Sequence, residues 1–73
     1  MIEPGQVFTP RVGGPQCGGP RILITAPVGD YCPLGGGIIT GVARAIDYHT
    51  GRNPRWISPT ELEADYQLDE EAQ

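Results

Sequence analysis

The sequence contains no lysine, so all five of its basic residues are arginines, and nine acidic residues leave a net charge of −4 at neutral pH. Non-specific affinity for a phosphate backbone comes from Lys and Arg that release counterions, so this balance argues against polyanion binding as the main function. There is no apolar run near the ~20 residues of a membrane-spanning helix. The amino-terminal residues also lack the basic and apolar segments of a secretory leader. We therefore expect a cytoplasmic protein without a membrane segment.

Cysteine and histidine are also scarce, with only Cys17, Cys32 and His49 present. Structural zinc sites use four ligands that include closely spaced pairs, and these three residues stand far apart. A Cys–His nucleophile would need a shaped pocket, which a chain of 73 residues seldom encloses. The sequence therefore predicts no metal, no cofactor and no enzyme, and it predicts both cysteines as reduced thiols.

Glycine and proline are abundant, with 11 and 8 residues, and most of them interrupt short apolar runs. Such placement is typical of tight turns between strands, because Gly adopts positive φ and Pro fixes φ near −65°. A chain this short buries one core at most. We expect a single domain over residues 1–69, followed by a frayed acidic tail over residues 70–73.

Apolar and β-branched runs predict the strands, and glycine-rich segments predict the loops between them. Gly41 is expected to form a bend or a bulge in the third strand, and residues 49–52 are expected to form a hairpin turn. The predicted strands cover residues 6–9, 21–26, 38–48 and 55–57, and the predicted loops cover residues 13–20 and 28–37.

Ser58 begins the most specific local motif, since Ser, Pro and Glu at positions 58, 59 and 61 form a helix N-terminus. Apolar and polar residues then alternate from position 62 to 69, which is typical of a half-buried strand. The i, i+4 spacing of Leu62 and Tyr66 leaves a short α-helix open. We predict an all-β fold, a small five-stranded SH3-like barrel with one 3₁₀ turn before the last strand.

The two ends of the chain resemble a group of small SH3-like proteins from actinobacteria and their phages. The resemblance is carried by IEPGQVF at positions 2–8, by RWIS at positions 55–58 with Leu62, and by YQL at positions 66–68. It implies the fold and a bacterial or phage origin. It carries over no functional residue, because the function of those proteins is unknown and the cysteine-containing glycine loops here depart from their pattern.

The hairpin with Arg52, Arg55 and Trp56 is the main candidate surface, because two guanidinium groups beside an indole can stack bases or grip a peptide. The alternative, which the area of an indole favours, is that Trp56 packs in the core with the tyrosines. Arg52 and Arg55 would then only form ion pairs with the acidic last strand. Three weaker candidates flank the glycine loops: Arg21, Tyr31 and Arg44.

The acidic residues are concentrated at one end, since residues 61–73 hold six of the nine and no arginine. This end would suit a basic partner, although a solvated strand edge is the plainer interpretation. The leading hypothesis is a noncatalytic protein-interaction module of bacterial or phage origin, acting through a strand edge or the hairpin. The alternatives are a nucleic-acid-binding or regulatory module using Arg52, Arg55 and Trp56, and capture of a nucleotide-like ligand by the glycine loops of an oligomer.

Overall fold

The computed structural model describes residues 2–15 and 17–72. Met1, Gln16 and Gln73, which belong to the predicted domain, loop and tail, lie outside the described residues. The chain forms β1 (Val7–Pro10), β2 (Ile22–Tyr31), β3 (Ile39–Asp47), β4 (Arg55–Ile57), helix α1 (Pro59–Asp65) and β5 (Tyr66–Leu68). The strands make one antiparallel sheet in the order β4-β3-β2-β1-β5. The predicted all-β, five-stranded, barrel-like domain is confirmed.

The core lies on one face of the two long strands. Alternate residues of a strand point to opposite faces, so Ile22 and Ile24 of β2 share their face with Ala43 and Ala45 of β3. Burial of each large aliphatic side chain stabilises the fold by about 1.5–3 kcal/mol. The chain from β4 to β5 supplies the remaining members of this cluster: Ile57, Leu62 and Tyr66.

Trp56 does not belong to this core, and the prediction that it shares one interior with the tyrosines is wrong. On the three-residue strand β4, Ile57 takes the inward position, so the adjacent Trp56 side chain points to the outer face. It is half-buried there. The tyrosines are divided in the same way, since Tyr66 is buried while Tyr31 contacts the Trp56 ring.

Strand β2 is longer than predicted, because it continues through Pro27 to Tyr31. Proline lacks the amide that a regular ladder needs and is confined to bulges and edges. The pairing of β2 with β3 has register shifts on both sides of Ala26, so the ladder is irregular where the proline stands. The predicted end of the strand at position 26 is therefore wrong.

Local signals elsewhere predicted the bend and the turn. Gly41 has a φ of +66° and lies in β3 between Ile39 and Val42, where the register of the pairing with β2 shifts. The segment over residues 49–52 is the predicted turn, with Gly51 at a φ of +68°. This turn joins β3 to β4, which pair as an antiparallel hairpin.

The predicted 3₁₀ turn is instead a seven-residue α-helix, α1. The Ser58 Oγ accepts a hydrogen bond from the Glu61 amide at 3.1 Å, as the capping motif predicts. Leu62 and Tyr66 are buried whereas Ala64 is exposed, so the i, i+4 spacing describes this segment and the strict alternation does not. A 3₁₀ helix, Glu70–Ala72, follows β5 in the segment expected to fray.

Candidate functional site

Three side chains form a stacked site on the outer face of the sheet: Tyr31, Arg44 and Trp56. The centroids of the Tyr31 and Trp56 rings are 4.8 Å apart, and their planes are tilted by 33°. The guanidinium carbon of Arg44 lies 4.9 Å from the centroid of the Trp56 ring. Such a cation–π contact contributes about 0.5–1 kcal/mol at an exposed site and about 2 kcal/mol when water is excluded.

Strand register places Arg44 beside the indole. Arg44 and Trp56 are direct partners in the β3–β4 ladder, so their side chains leave the sheet on the same face. Arg44 stands between two buried alanines of β3, which makes this face the outer one. Leu23 and Ile46, also paired and half-buried, extend the same face with apolar surface.

Tyr31 reaches the site only because β2 continues past Pro27. Its hydroxyl donates a hydrogen bond to the Pro27 carbonyl, which holds the ring in one orientation. A Cβ atom at Gly29 would lie 3.7 Å from the Tyr31 Oη, so the ring packs against this glycine. The sequence identified Tyr31 as a weak candidate beside a loop, and no sequence pattern showed that it would reach Trp56.

Arg55 does not join Trp56 on the outer face. Its guanidinium forms an ion pair with Asp47 of β3, and Asn53 Nδ2 donates to the same carboxylate at 2.7 Å. Arg55 therefore forms its ion pair with a carboxylate of the neighbouring strand. The alternative interpretation, in which it pairs with the acidic last strand, is wrong. Of the three predicted hairpin residues, Trp56 lies in the stacked site, Arg55 lies on the other face, and Arg52 is exposed in the turn.

Arg21 belongs to a separate polar cluster. Its Nη1 lies 3.1 Å from Asp69 Oδ2, and its Nη2 lies 3.0 Å from His49 Nε2. The guanidinium also lies over the Tyr48 ring, 5.2 Å from its centroid. Arg21 thus contacts the β3–β4 turn and the end of β5, and it does not combine with Tyr31 and Arg44 into the predicted nucleotide site.

The glycine loops carry exposed thiols at Cys17 and Cys32, which are not bonded to each other. Within residues 2–15 and 17–72, no group of three or more His, Cys, Asp and Glu side chains could hold a metal ion. No helix in this described part of the chain is long and apolar enough to cross a membrane.

A concave surface, the α1 groove, lies between α1, β1, β5, Val28 of β2 and residues near the start of the chain. Its volume is about 530 Å³. Burial raises the pKa of the Tyr66 hydroxyl at its wall, and the nearby Arg55 guanidinium opposes that rise. Sequence reasoning missed this groove, because its residues come from segments with no common pattern. The lining residues are Ile2, Gln6, Phe8, Arg11, Val28, Pro59, Leu62, Glu63, Tyr66, Gln67 and Leu68.

No known protein family, curated protein or solved structure matches the chain. The fold and the site therefore define a class only: a small all-β, barrel-like domain that carries an arginine–tryptophan–tyrosine stack on its outer face. The resemblance of the two ends to SH3-like proteins of actinobacteria and their phages stays a prediction.

Proposed function

We propose that this domain is a noncatalytic protein-interaction module that binds an extended segment of a partner protein at the stacked site. The observation that carries the proposal is the position of Trp56, the single tryptophan, which is half-exposed and contacts both Tyr31 and Arg44. Trp, Tyr and Arg are the residues most enriched among binding hot spots. Mutual packing restricts their side chains before a partner arrives, which lowers the entropy lost on binding.

Strand β4 offers backbone groups next to these side chains. It stands at one end of the sheet and has only three residues. An exposed sheet edge can pair with an extended segment, while pockets beside it select alternate side chains of that segment. A partner strand added to β4 would pass directly beside the Trp56 ring.

The state of the arginines favours a protein partner over nucleic acid. Arg21 and Arg55 pair with carboxylates, and Arg11 Nε donates to the Glu63 carbonyl at 2.8 Å. Arg44 lies over an indole, and the whole chain has a charge of −4. Phosphate binding needs several cations on one surface.

We further propose a cytoplasmic location, which suits two exposed cysteines that are not joined to each other.

The single tryptophan allows a direct test, because intrinsic fluorescence reports on this site alone. Peptides of twelve residues are selected from a random display library on the wild-type protein. Their affinities for the wild type, Trp56→Ala and Arg44→Gln are then measured by isothermal titration calorimetry, because Trp56→Ala has no tryptophan emission. The matched control is Leu34→Ala, which changes a fully exposed apolar residue outside the stacked site. Circular dichroism verifies that each variant is folded.

We expect the selected peptides to shift the Trp56 emission of the wild type and to bind the Leu34→Ala control as tightly as the wild type. Arg44→Gln and Trp56→Ala should each lower the affinity at least about tenfold, which is the effect of losing one hot spot. Selection that yields only peptides insensitive to both substitutions contradicts the proposal. A parallel titration with a dT12 oligonucleotide tests the nucleic-acid alternative, for which base stacking on Trp56 beside Arg44 is the favouring observation. Salt-dependent oligonucleotide binding that needs Trp56 would replace the peptide proposal.

A further inference from the structure

The α1 groove combines exposed apolar side chains with a concave shape. Val28 is 40% exposed and Leu68 is 41% exposed, and both line the groove. Phe8 and Leu62 form apolar wall between them and the core. A volume of about 530 Å³ lies within the usual range of ligand sites, ~300–1,000 Å³, and is enough for two or three apolar side chains.

The helix that forms one wall of the groove is acidic. Helix α1 carries Glu61, Glu63 and Asp65 and no basic residue, and Glu63 itself lines the groove. Glu70 and Glu71 follow β5 in the 3₁₀ helix. None of these five carboxylates takes part in either of the two ion pairs found within residues 2–15 and 17–72. Their charge is therefore available to a partner, at a range set by the salt concentration.

We propose that the α1 groove binds a basic amphipathic segment of a partner protein. Two or three of its apolar side chains would fill the space beside Phe8, Leu62 and Leu68, and its Lys or Arg side chains would face the carboxylates of α1. The apolar contacts supply most of the affinity, and the charges supply orientation and selectivity against acidic segments. None of the three residues of the stacked site lines this groove, so it is a second, independent surface.

Among the described residues that line the groove, Arg11 is the one with a cationic side chain. It therefore predicts the direction in which a substitution changes the affinity for a basic partner. Its Nε donates to the Glu63 carbonyl, which keeps a positive charge beside the acidic helix. For a basic partner this charge is repulsive, so Arg11→Gln should tighten binding. For an anionic partner the same substitution should weaken binding.

The test uses three synthetic twelve-residue peptides built from leucine with either lysine or glutamate. Two are basic, one with leucines at helical spacing and one with leucines at every second position, and the third is an acidic copy of the first. Affinities are measured by isothermal titration calorimetry, and the binding site is located by backbone amide shifts in NMR spectra. We expect one of the basic peptides to bind, the acidic peptide to bind at least about tenfold more weakly, and the shifts to fall on residues of the groove.

Matched variants separate the groove from general electrostatic attraction. Leu68→Ser should weaken binding about tenfold, because it removes one apolar side chain that the peptide would bury. Leu34→Ser removes an exposed leucine outside the groove and should have no effect on binding. Glu63→Gln should weaken binding about two- to threefold at low salt, whereas Asp30→Asn, with the same change in charge elsewhere, should not.

Three outcomes would overturn the proposal. One is that neither basic peptide binds more tightly than the acidic one, and another is that Leu68→Ser and Leu34→Ser have equal effects. The third is a wild-type dimer in analytical ultracentrifugation that Leu68→Ser dissociates, because the groove would then hold a second copy of the chain. Trp56→Ala should leave groove binding unchanged, so failure here and failure of the stacked site are distinguishable.

Discussion

Asp47 of β3 and Arg55 of β4 form an ion pair across the hairpin, and Asp47 is the one charged residue buried within residues 2–15 and 17–72. The same carboxylate accepts a hydrogen bond from Asn53, whose φ of +58° lies in the left-handed region. Two main-chain hydrogen bonds close the turn: the Gly51 amide donates to the Asp47 carbonyl, and the Asp47 amide donates to the Arg52 carbonyl. This ion pair therefore links β4 to β3 and is not part of the surface that carries Trp56.

Asp47→Asn should lower the free energy of unfolding by about 1–3 kcal/mol, since it leaves a partly buried guanidinium without its counter-charge. Urea denaturation measures the change. Asp30→Asn removes an equal charge from an exposed position and should cost less than about 0.5 kcal/mol. Equal losses from the two substitutions would show that the Asp47–Arg55 pair does not stabilise the hairpin.

Trp56→Ala should destabilise the protein less than Ile24→Ala, although it removes the larger side chain. Ile24 is 1% exposed in the core, where truncation leaves a cavity and costs about 2–5 kcal/mol. Trp56 loses only its contacts with Tyr31 and Arg44 on an open face, which we expect to cost about 1–2 kcal/mol. Urea midpoints of the two variants compare the effects, and a larger loss at Trp56 would place the indole in the interior.

Gly41→Ala should cost about 1 kcal/mol, because alanine rarely adopts the φ of +66° that bends β3. Apart from its chain neighbours, no described residue has an atom within 4 Å of the added Cβ, so the cost is one of conformation and not of space. Gly37→Ala is the control, since its Cβ also meets open space and its φ is not in the left-handed region. If thermal unfolding shows that both variants are as stable as the wild type, the positive φ of Gly41 does not limit the stability of the protein.

Stability should fall at alkaline pH through Tyr66. Burial raises the pKa of its hydroxyl above the ordinary value of 10.0. As the pH rises, the unfolded chain therefore loses the Tyr66 proton before the folded state does. The contribution of Tyr66 to the free energy of unfolding is full below about pH 10, and it is lost as pH rises through the folded-state pKa. Unfolding free energies from pH 8 to 11 should decline less steeply for Tyr66→Phe than for the wild type. Tyr48→Phe, at an exposed residue, should keep the wild-type slope, and equal slopes for all three proteins would contradict the assignment.

The sequence predicted the elements whose signals are local. Ser58 with Glu61 predicted the helix start, Gly41 predicted the irregularity of β3, and residues 49–52 predicted the hairpin turn. The helix length was wrong because residues 62–69 fit both an alternating and an i, i+4 pattern. The side of the helix that meets the core decided between them, and Leu62 and Tyr66 pack there together.

The candidate site was predicted only in part. The sequence grouped Tyr31 and Arg44 with Arg21 beside the glycine loops, and it grouped Trp56 with its chain neighbours Arg52 and Arg55. Neighbouring residues of a strand point to opposite faces, so adjacency in sequence separated Arg55 from Trp56 in space. The irregular passage of β2 through Pro27, which brings Tyr31 to the indole, depends on pairing with β3.

By itself the sequence determined the class of fold, because alternating apolar runs, glycine turns and a capped helix start act over a few residues of chain. Only the tertiary structure decided which side chains meet: the outward face of Trp56, the pairing of Arg55 with Asp47, and the groove beside α1. These depend on strand register and on contacts between residues far apart in the chain. In physical terms, local propensity selects the elements, and burial of one shared apolar face selects how they are arranged.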